Sequence, residues 1–354
     1  MITRPQLHWF RMLFVLRGSV LPTIAPQLLG VTLFSALITA FHGRIWDWKV
    51  SLNFVPFSLI GLTLAIFLGF RNSTSYARYW EGRTLWGSVL IESRSLVRQA
   101  LTLTSDPDAA RQIAHRLCVF VHTLRHQLRG TDPAADIAPF VDTATSQRMR
   151  DARFKPAIAL LIAGEWLGEQ LRLGKLSPSL ALPMENALSH LGSALGGCER
   201  LASTPIPFTY SVIIHRCIYL YCVLLPFGLL DTIGLMTPVI VCFIAYTFFA
   251  LEALSAEIEE PFGEEPNDLA LATMSYMIES TVLEMVGEQP LSPGRSVTAI
   301  SRPRPGNHLA SARVLRLVAL GPVVRTRGVV RARLRREVCR HVERILRRQR
   351  ATLA

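Results

Sequence analysis

Residues equipped for catalysis or metal binding are sparse in this sequence. His122 and His126 stand at i, i+4, a spacing that puts both on one helix face, as a metal pair would be. No third ligand lies near them in sequence, and solvated histidines are the commoner reading. Glu165 and Glu169 share a face in the same way, and an inter-subunit or solvent-facing role is expected for them. Cys118, Cys198, Cys217, Cys222, Cys242 and Cys339 form no Cys-x-x-Cys pair, and three of them sit in apolar runs, which points to free thiols rather than disulfides or zinc. There is no Gly-rich phosphate loop, no Gly-x-Ser-x-Gly and no His-Glu-x-x-His. A different spacing stands out. Leu62, Ile66 and Phe70 recur at i, i+4, i+8, and Asn72, Ser73, Thr74 and Ser75 follow directly. Repeated around an axis, such a stripe would make stacked apolar rings that gate by dewetting. The alternative is a stripe facing lipid or a neighbouring helix.

The elements carrying these residues are set by long uncharged runs. Half of the 354 residues are hydrophobic and 18% are charged, below the roughly 25% of a soluble domain. Residues 18–41, 50–70 and 232–251 contain no charge, and each is long enough for the roughly 20-residue helix that crosses a bilayer. A fourth, weaker run covers 217–230, preceded by His215 and Arg216 and extended by residues 207–214; Arg216 reads as an interfacial anchor rather than a voltage sensor. The expected fold is therefore all-α and integral to the membrane, with spans near 22–42, 51–70, 209–230 and 232–254. The short connections 42–49 and 231–234 make two helical hairpins. Both termini and residues 71–208 then share one side. Arg4, Arg11 and Arg17 precede the first span, and Arg71, Arg78 and Arg83 follow the second, so that side is cytoplasmic by the positive-inside rule.

Between the hairpins the sequence reads as helices without a period-2 strand pattern or an internal repeat. The second span continues to Leu103 with no proline, giving a helix of about 50 residues and roughly 75 Å. Asp106-Pro107-Asp108 ends it, Ala109 to Arg129 is amphipathic, and Pro156 to Leu173 and Pro178 to Arg200 follow, the last broken or kinked near Pro183. From residue 290 the composition changes. The last 65 residues hold 16 arginines against two glutamates, so the overall net charge of +12 belongs to this tail. Anionic lipid or nucleic acid would suit it, but a solvated, disordered segment is the expectation, and no nucleic-acid partner is expected for the chain.

Three motifs carry a family resemblance. Gly69-Phe70-Arg71-Asn72 followed by Arg78-Tyr79-Trp80 resembles the second-helix signature of the bestrophins and their bacterial relatives. Pro205-Ile206-Pro207-Phe208-Thr209-Tyr210 is similar to the entry of that family's third span. Glu260-Pro261-Phe262-Gly263-Glu264-Glu265 is similar to the acidic motif after its fourth. The resemblance covers roughly Arg4 to Val286. It implies a homopentameric ion channel in the plasma membrane, the bacterial inner membrane, with a central pore for monovalent ions. It places the pore neck on Leu62, Ile66 and Phe70 and a lower cytoplasmic aperture on Leu180. It implies a channel domain over 1–289 with the tail, 290–354, outside it.

Two departures from the family pattern matter. Animal members bind calcium with an acidic run after Pro-Phe-Gly. Here Glu260, Glu265 and Asp268 remain, but Pro266 interrupts the run, so a structural role is expected and no cofactor. The middle neck position is Ile66 rather than phenylalanine, whose weakly positive edge favours an anion in transit. The expectation leans slightly to Na⁺-type cation passage, with chloride close behind. Other classes stay open: a membrane-anchored scaffold or enzyme with a helical partner-binding region, or a secondary transporter, which would usually show inverted repeats.

Overall fold

The computed structural model describes residues 18–42, 52–104 and 106–290, together with 8, 10, 15, 16, 44, 45, 48 and 49. The basic tail and Arg4, Arg11 and Arg17 lie outside the described residues. Ten helices make up the described chain. They are α1 (Leu21–Ala40), α2 (Phe54–Leu103), α3 (Pro107–Arg129), α4 (Ala134–Ile137), α5 (Thr143–Asp151), α6 (Lys155–Arg172), α7 (Pro178–Ser203), α8 (Phe208–Ile233), α9 (Thr237–Glu259) and α10 (Leu271–Met285). The only strands among the described residues are β1 (Arg44–Ile45) and β2 (Trp48–Lys49), a two-residue antiparallel ribbon between α1 and α2.

Among the described residues, three helical stretches are long and apolar enough to cross a membrane: Leu21–Ala40, part of Val55–Leu103, and Phe208–Glu259. The last is two helices, α8 and α9, joined by a single 3₁₀ turn at Gly234–Met236. That turn corrects the expected connection by a few residues. Gly234 takes a left-handed φ of 54°, which stops α8, and the Thr237 hydroxyl donates to the Gly234 carbonyl at 2.6 Å as α9 begins.

Two cores are strung along α2. Near its start, Phe57, Leu64 and Leu68 pack with Ile24 and Val31 of α1, Ile218 and Leu225 of α8, and Val241 and Ala245 of α9. Further along, Trp86, Val89, Leu96 and Val97 enter a larger core with α3, α6, α7 and α10. Asn53 caps α2 by accepting from the Val55 amide at 3.0 Å, and no proline lies beyond its first turn. Close approach against α8 depends on small residues. A Cβ on Gly61 would sit 2.8 Å from the Tyr221 hydroxyl, and one on Gly228 would sit 2.9 Å from the Phe57 ring. α7 runs unbroken from Pro178 to Ser203. Pro183 lies inside that helix and removes the bond its amide would have made to the Ser179 carbonyl, yet the helix continues across it, so the expected break is absent.

Candidate functional site

The stripe Leu62, Ile66 and Phe70 stands free on the surface of the single chain, at 61%, 50% and 65% exposure. On a helix turning roughly 100° per residue, it lies about 180° from the buried stripe Phe57, Leu64, Leu68, Arg71 and Ser75. One side of α2 is thus held by α8 and α9, and the opposite side offers three large apolar groups at successive turns. Ser73 and Thr74 continue the exposed side with hydroxyls, that of Thr74 donating back to the Phe70 carbonyl at 3.0 Å. Leu180 lies in the first turn of α7, exposed at 39%.

Behind the stripe, the three sequence motifs converge. Arg71 is buried, and its guanidinium lies 3.5 Å from the Glu259 carboxylate at the end of α9. Glu259 also accepts from the Ile206 amide at 3.2 Å, which ties in the Pro-Ile-Pro entry to α8. Arg78 spreads its guanidinium over three backbone carbonyls: Glu259 at 3.0 Å, Thr204 at 2.6 Å and Leu201 at 2.8 Å. One arginine therefore satisfies the terminal carbonyls of α7 and α9 together. Ser255 donates to Asn72 at 3.1 Å. Sequence reading named these motifs but missed their meeting. The available signal was a cation at the end of one apolar run and an acid at the end of another.

The loop 260–270 folds onto this junction. Asp268 is buried, and its Oδ2 accepts from the Glu265 amide at 2.7 Å; a Cβ on Gly263 would lie 2.5 Å from that oxygen. Burial pushes the Asp268 carboxyl up to about 6, opposed by the Glu265 amide and reinforced by the charges of Glu257 and Glu265. Asn267 donates through its backbone and side chain to Glu257, at 3.1 and 3.0 Å. Arg129 donates to the Gly263 carbonyl at 3.1 Å. Glu260 and Glu265 are exposed. Calcium takes six to eight oxygen ligands; here Asp268 gives Oδ2 to the Glu265 amide, and its buried Oδ1 has no hydrogen-bond partner. Among the described residues no three His, Cys, Asp or Glu side chains group to hold a metal.

The histidines of α3 also separate. His122 meets Glu279 of α10 at 2.7 Å in the core, whereas His126 meets Asp136 at 2.8 Å and Thr131 at 2.6 Å. Burial holds the His126 imidazole below its ordinary value, against the bond from Asp136. Glu165 accepts from both guanidinium ends of Arg148, at 2.8 and 3.0 Å.

The family model described as Bacterial/Fungal Bestrophin protein matches residues 1–284. A "Voltage-dependent anion channel-forming protein" of Ralstonia nicotianae is 49% identical over 294 residues, covering 82% of this chain and 96% of the relative. A protein of the same description from Escherichia coli K12 is 43% identical, covering 81% and 95%. The crystal structure of a bacterial bestrophin homolog from Klebsiella pneumoniae superposes with a TM-score of 0.73 at 42% identity, covering 75% of this chain and all of that one.

Proposed function

Because the chain belongs to the bacterial and fungal bestrophin family, whose members are ion channels and not enzymes, we propose that it forms a ring of identical subunits, five by resemblance, around one central ion pathway. On this reading four helices, α1, the first part of α2, α8 and α9, cross the inner membrane, and both termini and α3–α7 are cytoplasmic. The neck is Leu62, Ile66 and Phe70, and Leu180 sets a lower aperture. The observation that carries the reading is the exposed apolar stripe diametrically opposite the face by which α2 is held. A scaffold would need no such stripe at one membrane level.

The conducted species is a monovalent ion. A neck with isoleucine at its middle offers no aromatic edge there, which supports the lean to cations. The names of the Ralstonia and Escherichia relatives favour the second reading, anion passage. A reversal potential in a planar bilayer under asymmetric NaCl tests the proposal. Current with a defined reversal potential supports a channel and its sign selects the ion. A purified, assembled protein that passes no current under any voltage would refute it.

A further inference from the structure

A cleft of about 350 Å³ lies between α3, the turn at 138–141, the start of α5, and α6. It shares no residue with the stripe or the junction. Its polar lining is Gln112, His115, Arg116, Asp142 and Thr145; Phe140 and Ile162 supply apolar surface.

Arg116 is the group that calls for a ligand. Its Nη1 donates to the Gln112 carbonyl of its own helix at 3.0 Å, and its Nε is buried with no acceptor. Among the described residues no carboxylate lies within the 4.0 Å of an ion pair. The acids whose fields reach it are Glu169, Asp142 and Glu165. Glu165 is engaged by Arg148 through both oxygens. Asp142 caps α5, accepting from the Thr145 amide at 2.7 Å. His115 is fixed by Glu288, 2.8 Å from its Nε2, and its ring meets Phe140 edge-on at 5.6 Å between centroids.

A half-buried guanidinium with unmade bonds is the donor that planar carboxylates pair with. The volume falls in the range of small-molecule sites, and the apolar wall would be left unused by a bare inorganic anion. We propose that this cleft binds a small monocarboxylate with a flat apolar body, the carboxylate on Arg116 and the body against Phe140 and Ile162.

The test uses the full-length protein in lipid nanodiscs, with 4-fluorobenzoate as probe and fluorine NMR line width as readout; empty nanodiscs correct for partitioning. Binding is independent of conduction, so the result stands whatever ion the protein passes. The acid should broaden saturably, and the neutral isostere 4-fluorobenzamide should bind roughly tenfold more weakly or worse, the margin expected for charge-assisted bonds. Arg116→Gln should bring the acid down to the amide's level, while Arg116→Lys retains part of the difference. Equal binding of acid and amide, or unchanged binding by Arg116→Gln, overturns the proposal. If Arg116→Gln fails to assemble by size exclusion, Val141→Trp, which fills the cleft and keeps the arginine, decides in its place: lost binding supports the site and unchanged binding refutes it.

Discussion

Arg71 and Glu259 meet at 3.5 Å directly behind the exposed Phe70, forming a buried ion pair between α2 and the end of α9. Consecutive residues on one helix, about 100° apart, thus serve different sides: Phe70 faces the proposed ion path, and Arg71 anchors the turn that carries it. Removing one partner of such a pair strands the other in a poorly solvated place, a loss of about 3–5 kcal/mol. Arg71→Met should lower the thermal unfolding midpoint in detergent by several degrees, and Arg71→Met combined with Glu259→Gln should recover part of that. A double variant no better than the additive sum would show that the two residues are not coupled.

The neck reading predicts selectivity from a single side chain. Ile66→Phe introduces an aromatic edge at the middle ring and should shift the reversal potential under a NaCl gradient toward the chloride equilibrium value. An unchanged reversal potential would remove Ile66 from the selectivity argument.

Conductance should respond to the same stripe and not to its neighbours. Ile66→Ala widens the proposed constriction and should raise single-channel conductance. Leu59→Ala, also exposed but a turn nearer the start of α2, should leave it nearly unaltered. Equal effects from the two substitutions would mean that the constriction is not set at the level of Ile66.

The loop at 260–270 should carry a pH signature. Asp268 holds its proton to about 6, above the 3.8 of a free aspartate, because burial disfavours its charge. Between about pH 4 and 6 the folded state therefore binds more protons than the unfolded one, and stability falls as pH rises through that window. Asp268→Asn keeps an acceptor for the Glu265 amide and removes the titration. Its unfolding midpoint should vary less than the parent's from pH 4 to 6 and exceed it at pH 7. Parallel curves for the two proteins would assign the pH dependence elsewhere.

Gly263 is required by the same loop. Gly263→Ala places a methyl 2.5 Å from the Asp268 carboxylate oxygen, a short side chain with nowhere to retreat, and should destabilise the protein by about 1–3 kcal/mol. Denaturation midpoints measure it directly, and a neutral result would mean that Asp268 is free to swing out.

Legibility in the sequence followed the range of the interactions. The membrane helices were visible because a bilayer demands long uncharged runs, and the continuation of α2 to Leu103 was visible because no proline interrupts it. The stop at Gly234 was blurred, since both sides of that turn are equally apolar. The apolar stripe could be seen from spacing, but its opposition to the buried face needed the packing of α8 and α9. The junction was illegible for a simple reason: Arg78 reaches a carbonyl 181 residues away, and no local pattern encodes such a pairing. Arg116 was likewise unremarkable in sequence, because an orphaned donor is defined by what three other elements fail to bring near it.

The uninterrupted course of α2 has a mechanical consequence. One end of this 50-residue rod bears the stripe, while Trp86, Leu96 and Val97 near the other are clamped in the larger core. A helix without a proline hinge transmits torque. A few degrees of rotation imposed on the clamped end reappear as a turn of all three side chains at the other, like a key moved from its bow. In the proposed ring, the width of the neck would in this sense be adjustable from the far end of the shaft, by whatever loosens or tightens the grip on Trp86.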